Sequence, residues 1–157
     1  MNELAAELGR LLRERHMTIA TAESCTAGGI GAAIASVDGA SEYFLGGVIA
    51  YSVGVKNRVL GVDDDLIGRY GVVSREVAEA MNDGVRRLSH ADVAISITGY
   101  AGQNGGDRFA ENGTVWICIG SDGTTPLVKC LHVSSDRTAN LRRAVDEALS
   151  CAVRFMA

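Results

Sequence analysis

Apolar positions recur along the chain at two spacings, one typical of helices and the other of strands. Helical spacing, with capping residues in front of several runs, predicts helices over 3–15, 28–36, 55–60 and 74–88. It also predicts a short helix that Asp63 or Asp64 caps and that runs to Tyr70, and a last helix that begins at Asp136. The inward positions of the two long later helices are predicted to be Val77, Met81, Val85 and Leu88, and then Leu141, Val145, Leu149 and Val153. Short β-prone runs predict strands over 17–21, 44–51, 91–98, 114–120 and 127–133.

The order of these elements predicts the fold class. Helices that alternate with strands, followed by two strands joined through Asp122-Gly123, favour an α/β layered domain. We therefore expect residues 1–157 to form a single domain with a mixed sheet of about five strands flanked by helices. Gly46-Gly47 predicts a bulge or a close backbone approach in the second strand, and residues 99–113 form a glycine-rich loop.

Composition narrows the function classes. The chain of 157 residues is 47% hydrophobic and 22% charged and has only one proline, which argues against disorder. Its net charge of −4 does not support nucleic-acid binding, and no apolar run approaches a membrane span. The N-terminal leucines are interrupted by charges, so this segment is interpreted as a helix and not a signal peptide. We expect a cytoplasmic protein with no nucleic-acid or membrane partner.

The four cysteines are far apart in sequence and form no C-x-x-C pair, so neither a zinc site nor a disulfide framework is expected. Cys118, Cys130 and Cys151 lie in apolar segments and are predicted to be buried free thiols.

The run from Thr21 to Ile30 contains the strongest chemical signal. An apolar strand leads into Glu23, Ser24 and Cys25, and two glycines and a helix follow. A sharp strand-to-helix turn often holds a nucleophile, with N–H groups of the helix facing the reacting atom or a phosphate. The structural alternative is an ordinary helix N-cap, because serine and threonine are preferred there. Cys25 is a second candidate nucleophile, although none of His16, His90 and His132 lies in a motif that could supply its base.

This run and four further blocks resemble the CinA C-terminal-domain family, the nicotinamide-nucleotide amidohydrolases. The further blocks are Tyr51-Ser52 with Lys56, Gly71 to Ser74, Ser96 to Gly106, and Asn112 to Trp116, and Asp136-Arg137 resembles the family's last helix start. They occur in family order over almost the whole chain. Family members often carry this module behind another domain, so here it is expected to stand alone.

The resemblance implies an enzyme that converts nicotinamide mononucleotide to nicotinate mononucleotide and ammonia. Hydrolysis of a carboxamide needs a nucleophile, a base for its proton and an acid for the leaving group. Ser24 supplies the hydroxyl, and Lys56 can supply the base if burial lowers its pKa. Tyr51 would bridge these two side chains or donate to the leaving group. Neither a cofactor nor a metal is expected, the partner is a small-molecule nucleotide, and a homo-oligomer is expected.

Substrate binding has candidates in three segments. Backbone donors of the glycine-rich loop and a guanidinium at the last helix would suit a phosphate. Glu23 would orient Lys56 or a substrate hydroxyl, or else cap the next helix. The substrate-binding residues predicted in this way are Glu23, Thr26, Gly28, Thr98, Gly99, Gly102 and Arg137.

Four positions depart from the family pattern. Ala27 replaces a glycine, Val53 an asparagine, Tyr100 a small aliphatic residue and Gln103 a proline. The departures leave open a second hypothesis, a catalytically silent relative that binds a nucleotide or a protein partner. Retention of Ser24, Tyr51 and Lys56 favours the enzyme.

Overall fold

The computed structural model describes residues 2–157. It contains six α-helices, five strands and one 3-10 turn at Ala40–Glu42. The helices are α1 (Glu3–Arg15), α2 (Gly29–Ala35), α3 (Val53–Arg58), α4 (Asp64–Tyr70), α5 (Arg75–Ser89) and α6 (Arg137–Met156). The strands are β1 (Ile19–Glu23), β2 (Phe44–Ile49), β3 (Val93–Gly99), β4 (Thr114–Ser121) and β5 (Thr124–His132).

The strands form one mixed sheet in the order β2-β1-β3-β4-β5. β1 lies between β2 and β3 and runs parallel to both, and β4 and β5 are antiparallel to their neighbours. The predicted α/β class with a five-stranded mixed sheet is confirmed. Because β1 has a parallel neighbour on each side, its carboxyl end faces the crevice in which open α/β sheets usually bind ligands.

Helices cover both faces of the sheet. On one face α1, α2 and α6 pack on alternate strand residues such as Ile19, Ile95 and Ile117. On the other face α5 packs on the small residues Ala20 and Ala94. Period-two alternation along buried strands separates these two cores, as a three-layer arrangement requires.

Polar side chains cap five of the helices, and those at Ser74 and Asp136 were predicted from the sequence. Each cap accepts a hydrogen bond from an N–H group in the first turn, which satisfies a donor that the helix itself leaves free. The capping residues are Asn2, Ser52, Asp63, Ser74 and Asp136. Helix α2 has no such cap, because the residue before it, Gly28, has no side chain.

The structure shows both a bulge and a close backbone approach at Gly46-Gly47, the two alternatives that the sequence predicted. The register of β1 and β2 shifts next to Gly46, which has a φ of 125°, so β2 is bulged there. A Cβ on Gly47 would collide with the Thr21 side chain and backbone, so the strands approach closely at this point.

Some sequence predictions were wrong in detail. Leu88 is 55% exposed and lies in the last turn of α5, beyond Val85, the last buried residue of this helix. Cys130 is only partly buried, because β5 is an edge strand of the sheet. This strand begins at Thr124, three residues earlier than predicted. Helix α6 buries mainly small residues, among them Ala144 and Ala148. Of its predicted inward positions Leu149 is fully buried, and Leu141, Val145 and Val153 are partly buried and pack against the core, so these positions face inward as predicted. No helix among residues 2–157 is both long and apolar enough to cross a membrane.

Candidate active site

The carboxyl ends of the three parallel strands bring the sequence blocks together. Ser24 follows β1, Tyr51 lies just beyond β2, and Tyr100 follows β3. The Ser24 N–H donates to the Ile97 carbonyl of β3 at 3.1 Å, and the Ala50 N–H donates to the Glu23 carbonyl at 2.8 Å. The peptide bond between Glu23 and Ser24 is therefore held from both sides, by β3 and by the segment that follows β2.

Ser24 and Lys56 are in direct contact. Lys56 Nζ lies 2.8 Å from Ser24 Oγ, 2.7 Å from the Ala50 carbonyl and 3.5 Å from the Tyr51 carbonyl. Lys56 is 1% exposed and Ser24 is 8% exposed. As an ammonium Lys56 donates to all three oxygens, whereas as a neutral amine its lone pair can accept the Ser24 O–H.

Burial controls the charge state of this lysine. Removal of the ammonium from water lowers the pKa of Lys56 from 10.5 to about 8. No carboxylate contacts Nζ, and its partners are carbonyl and hydroxyl oxygens. Lys56 can therefore take up and release a proton near neutral pH, as a general base must.

Glu23 closes the N-terminus of α2. Its Oε1 accepts from the Thr26 hydroxyl at 2.6 Å and the Ile30 N–H at 2.8 Å, and Oε2 accepts from the Gly31 N–H at 2.9 Å. Glu23 and Thr26 are buried and neither lines the cavity, so the structure gives Glu23 the capping function that the sequence analysis left as the alternative. The predicted use of these helix N–H groups for an oxyanion or a phosphate is corrected accordingly, because Glu23 occupies them.

Gly28 also lies outside the cavity. It is the residue before α2 and has a φ of 95°, a left-handed conformation that favours glycine. A Cβ there would lie 3.1 Å from the Ile49 side chain. The predicted substrate-binding residues Glu23, Thr26 and Gly28 therefore shape the turn around Ser24 and do not form the cavity wall.

A cavity of about 330 Å³ opens at Ser24 and Lys56. Of the predicted substrate-binding residues, the structure brings Thr98, Gly99, Gly102 and Arg137 to its wall, together with Tyr51. The described wall carries two cations and no carboxylate; its members are Ser24, Cys25, Tyr51, Val53, Lys56, Val72, Val73, Thr98, Gly99, Tyr100, Ala101, Gly102, Gly105 and Arg137. This charge distribution suits an anionic ligand.

Tyr51 and Arg137 meet across the exposed side of the cavity. The Arg137 guanidinium donates to the Tyr51 hydroxyl at 3.1 Å, and Tyr51 is 59% exposed. A Cβ on Gly102 would lie 3.1 Å from the same guanidinium, so the absence of a side chain there makes room for Arg137. Tyr51 does not bridge Ser24 and Lys56, which contact each other directly.

Thr98 and Gly99 have packing functions in addition to lining the cavity. The Thr98 hydroxyl donates to the Val72 carbonyl at 3.0 Å, which ties β3 to the segment before α5. A Cβ on Gly99 would lie 2.7 Å from the Val115 side chain, so glycine permits the close pairing of β3 and β4.

Two asparagines that the sequence analysis missed hold the glycine-rich loop. Asn140 donates to the Ala101 carbonyl at 3.0 Å and is 3% exposed, and so it joins the loop to α6. Asn112 donates to the Gly102 carbonyl and accepts from the Gly105 N–H. The only signal for Asn140 is its position four residues before Ala144 in the buried stripe of α6.

Ala27, Gln103 and Val53, which depart from the family pattern, have different surroundings in the structure. Ala27 is exposed, lies outside the cavity and has a φ of 47°. The Gln103 side chain donates to the Ser135 carbonyl at 3.0 Å, so it anchors the loop in a different way from a proline. Val53 lies on the cavity wall at the start of α3.

Cys25 is buried next to the nucleophile candidate. Burial raises the pKa of its thiol to about 11, against the smaller opposing effects of its own backbone N–H and of Lys56. The thiol is therefore protonated at neutral pH, which favours Ser24 over Cys25. Among residues 2–157, no cluster of three or more His, Cys, Asp or Glu side chains is placed to hold a metal ion.

Comparison with known proteins identifies the family. A family model described as the CinA C-terminal domain matches residues 1–156. This chain belongs to the CinA C-terminal domain family.

Relatives of this CinA C-terminal domain differ in length. A protein of Pseudomonas putida named nicotinamide-nucleotide amidohydrolase PncC is 42% identical over 146 residues, which are 93% of this chain and 91% of that protein. A putative competence-damage inducible protein of Halothermothrix orenii is 43% identical over 98% of this chain, but the match covers 37% of that protein. The chain spans only 28% of a similarly named relative from Desulforudis audaxviator.

Solved structures share the whole fold. The competence or damage-inducible protein from Enterobacter asburiae superposes with a TM-score of 0.94 at 29% identity, covering 99% of this chain and 97% of that one. The CinA superfamily protein from Escherichia coli has a TM-score of 0.93 at 30% identity.

Proposed function

We propose that this protein hydrolyses the carboxamide of nicotinamide mononucleotide and releases nicotinate mononucleotide and ammonia. The observation that carries the proposal is the 2.8 Å contact between Ser24 Oγ and a buried Lys56 Nζ, in a cavity whose other cation is Arg137. The Pseudomonas putida relative, which aligns over most of both chains, bears the name of this activity. Serine–lysine pairs are a known variant of the serine hydrolase triad.

Acylation begins with Lys56 in its neutral form. The Lys56 lone pair accepts the Ser24 proton while Oγ attacks the carboxamide carbon, and a tetrahedral intermediate forms. The Lys56 ammonium then returns the proton to the amide nitrogen, the carbon–nitrogen bond breaks and ammonia leaves. Nicotinate mononucleotide remains bound to Ser24 as an ester.

Deacylation repeats the proton transfers with water. Neutral Lys56 accepts a proton from the attacking water, and Lys56 then protonates Ser24 Oγ as the ester bond breaks. The carboxylic acid so formed gives its proton to solvent and leaves as the carboxylate, and the enzyme returns to its starting state. Since the α2 N-terminus is occupied by Glu23, the N–H of Cys25, directly after Ser24, is the donor assigned to the oxyanion.

Arg137 and Tyr51 hold the substrate at the open side. Arg137 binds the phosphate through charge-assisted hydrogen bonds, which are stronger than neutral ones. The bond from Arg137 uses only a lone pair of the Tyr51 oxygen, so the hydroxyl hydrogen stays free to donate to the substrate or the departing ammonia.

Ammonia release from nicotinamide mononucleotide by the purified chain tests this function. Wild type should release ammonia and Ser24→Ala should lose at least about a thousandfold in rate. Cys25→Ser, at the adjacent position, is the matched control and should retain activity within a few-fold. No ammonia from wild type, with nucleotide binding retained, would establish the silent binding protein instead.

A further inference from the structure

Tyr100 is an aromatic residue in a cavity wall made largely of glycine and small residues. It lines the cavity together with Ser24 and Arg137. Its N–H donates to the Thr114 carbonyl at 2.9 Å, and its carbonyl accepts from the Gly113 N–H at 2.7 Å. A Cβ on Gly105 would lie 3.2 Å from Cδ1 of the Tyr100 ring, so the ring packs on the loop. Backbone and ring are therefore both held in place.

Asp107 holds the far end of this ring. The Tyr100 hydroxyl donates to Asp107 Oδ2 at 2.9 Å, and Asp107 Oδ1 accepts from the N–H groups of Phe109 and Ala110. Burial acts to raise the pKa of Asp107, but these hydrogen bonds together keep it below its usual value. Burial and the hydrogen bond to Asp107 raise the pKa of Tyr100 to about 12. At neutral pH a protonated phenol therefore donates to a carboxylate.

The cavity thus offers different electrostatics at different walls. Lys56 and Arg137 are its cations, while the Tyr100 ring adds a π face with the Asp107 carboxylate beyond it. A carboxylate at the hydroxyl end increases the electron density of the ring, and aromatic faces attract cations. The substrate proposed above has matching parts, because its phosphate is anionic and its N-glycosylated pyridine ring is a cation.

We infer that Tyr100, supported by Asp107, is a specificity residue through which the cavity prefers a cationic pyridinium ring to a neutral ring of the same size. This inference rests on the proposed function. Tyr100 contacts the substrate ring, and Asp107 is a positioning residue that acts through Tyr100.

Binding of two nucleotides to the full chain tests the inference. The probes are nicotinamide mononucleotide and its 1,4-dihydro form, which has nearly the same shape but a neutral ring. Both are titrated by calorimetry into Ser24→Ala protein, to prevent turnover, with Tyr100→Leu, Tyr100→Phe or Asp107→Asn added. Tyr70→Leu is the matched control, since Tyr70 lies outside the cavity wall. Thermal unfolding of each variant shows whether the loop change affects the fold.

Tyr100→Leu should weaken the binding of the cationic nucleotide by roughly 2- to 30-fold and the binding of the neutral one by less than about twofold. Tyr100→Phe and Asp107→Asn should reduce the same preference by a smaller factor, and Tyr70→Leu should not change it. Equal losses for both nucleotides, or no loss for either, would overturn the inference while leaving the proposed function intact. If the Ser24→Ala parent binds neither nucleotide, the proposed function and the inference fail together.

Discussion

The buried Lys56 should make both activity and stability depend on pH, in a way that one substitution isolates. At a pKa of about 8, about one Lys56 in ten is neutral at pH 7, against about one in 3,000 at 10.5. kcat/KM should therefore rise with pH through one ionisation and level off above about pH 8. Lys56→Met should lower it by about 10²- to 10⁴-fold and abolish this ionisation. Lys56→Arg should also fail, because a guanidinium cannot serve as a base here.

The same shift predicts the sign of the stability effect. The folded protein binds the Lys56 proton more weakly than the unfolded chain does, so the charged form destabilises the fold below pH 8. Stability is recovered as pH rises from the folded pKa of about 8 towards the unfolded value of 10.5. Linkage over this interval gives a gain of about 2–3 kcal/mol between pH 7 and pH 10.

Guanidinium denaturation of wild type and Lys56→Met at several pH values measures that gain. Subtracting the two curves removes the other groups that titrate in this range, and the wild type should gain about 2–3 kcal/mol relative to the variant. Lys129→Met is the matched control, because Lys129 is partly exposed and paired with Glu147. Parallel curves for wild type and Lys56→Met would refute the lowered pKa and, with it, the general-base argument.

Three further substitutions test separate parts of the site. Arg137→Ala should weaken the binding of nicotinamide mononucleotide by roughly 10- to 150-fold and should barely change the binding of the riboside. Calorimetric titration measures both affinities, with Arg142→Ala as the control. A similar loss for the riboside would instead make Arg137 structural. Glu23→Gln should lower the free energy of unfolding by about 2–3 kcal/mol, since an amide cannot accept from the Thr26, Ile30 and Gly31 donors as the carboxylate does; an unchanged denaturation midpoint would contradict this. Ala27→Gly should raise the free energy of unfolding by about 1 kcal/mol, because alanine is strained at a φ of 47°, with destabilisation as the contrary result.

Local sequence patterns predicted the elements well, because helix and strand periodicity and capping depend on neighbours a few residues apart. Ser74 caps α5 as predicted, and Asp122-Gly123 turns the hairpin. Leu88 was misassigned for the same reason, since periodicity shows which residues share a helix face but not how far the partner layer extends beneath it. The partial exposure of Cys130 likewise could not be predicted without knowing that β5 lies at the edge of the sheet.

Some features of the candidate site could likewise be predicted from the sequence, and others could not. Ser24, Lys56 and Arg137 could be nominated from residue types and family-like spacing. Their contacts could not, because Ser24 and Lys56 are 32 residues apart and meet only through the pairing of β1 with β2. The roles of Glu23, Asn140 and Asp107 also depend on which donors the fold brings to them.

By itself, then, the sequence determined the element order, the α/β class and some residues of the site, among them Ser24 and Lys56, because these follow from short-range patterns and from family-like spacing. Only the tertiary structure decided what those groups do. Parallel pairing placed three strand ends at one edge, burial lowered the pKa of Lys56, and Glu23 took the helix N-terminus that Ser24 was expected to use. Burial and long-range hydrogen bonding are properties of the packed chain, and no local stretch of sequence contains them.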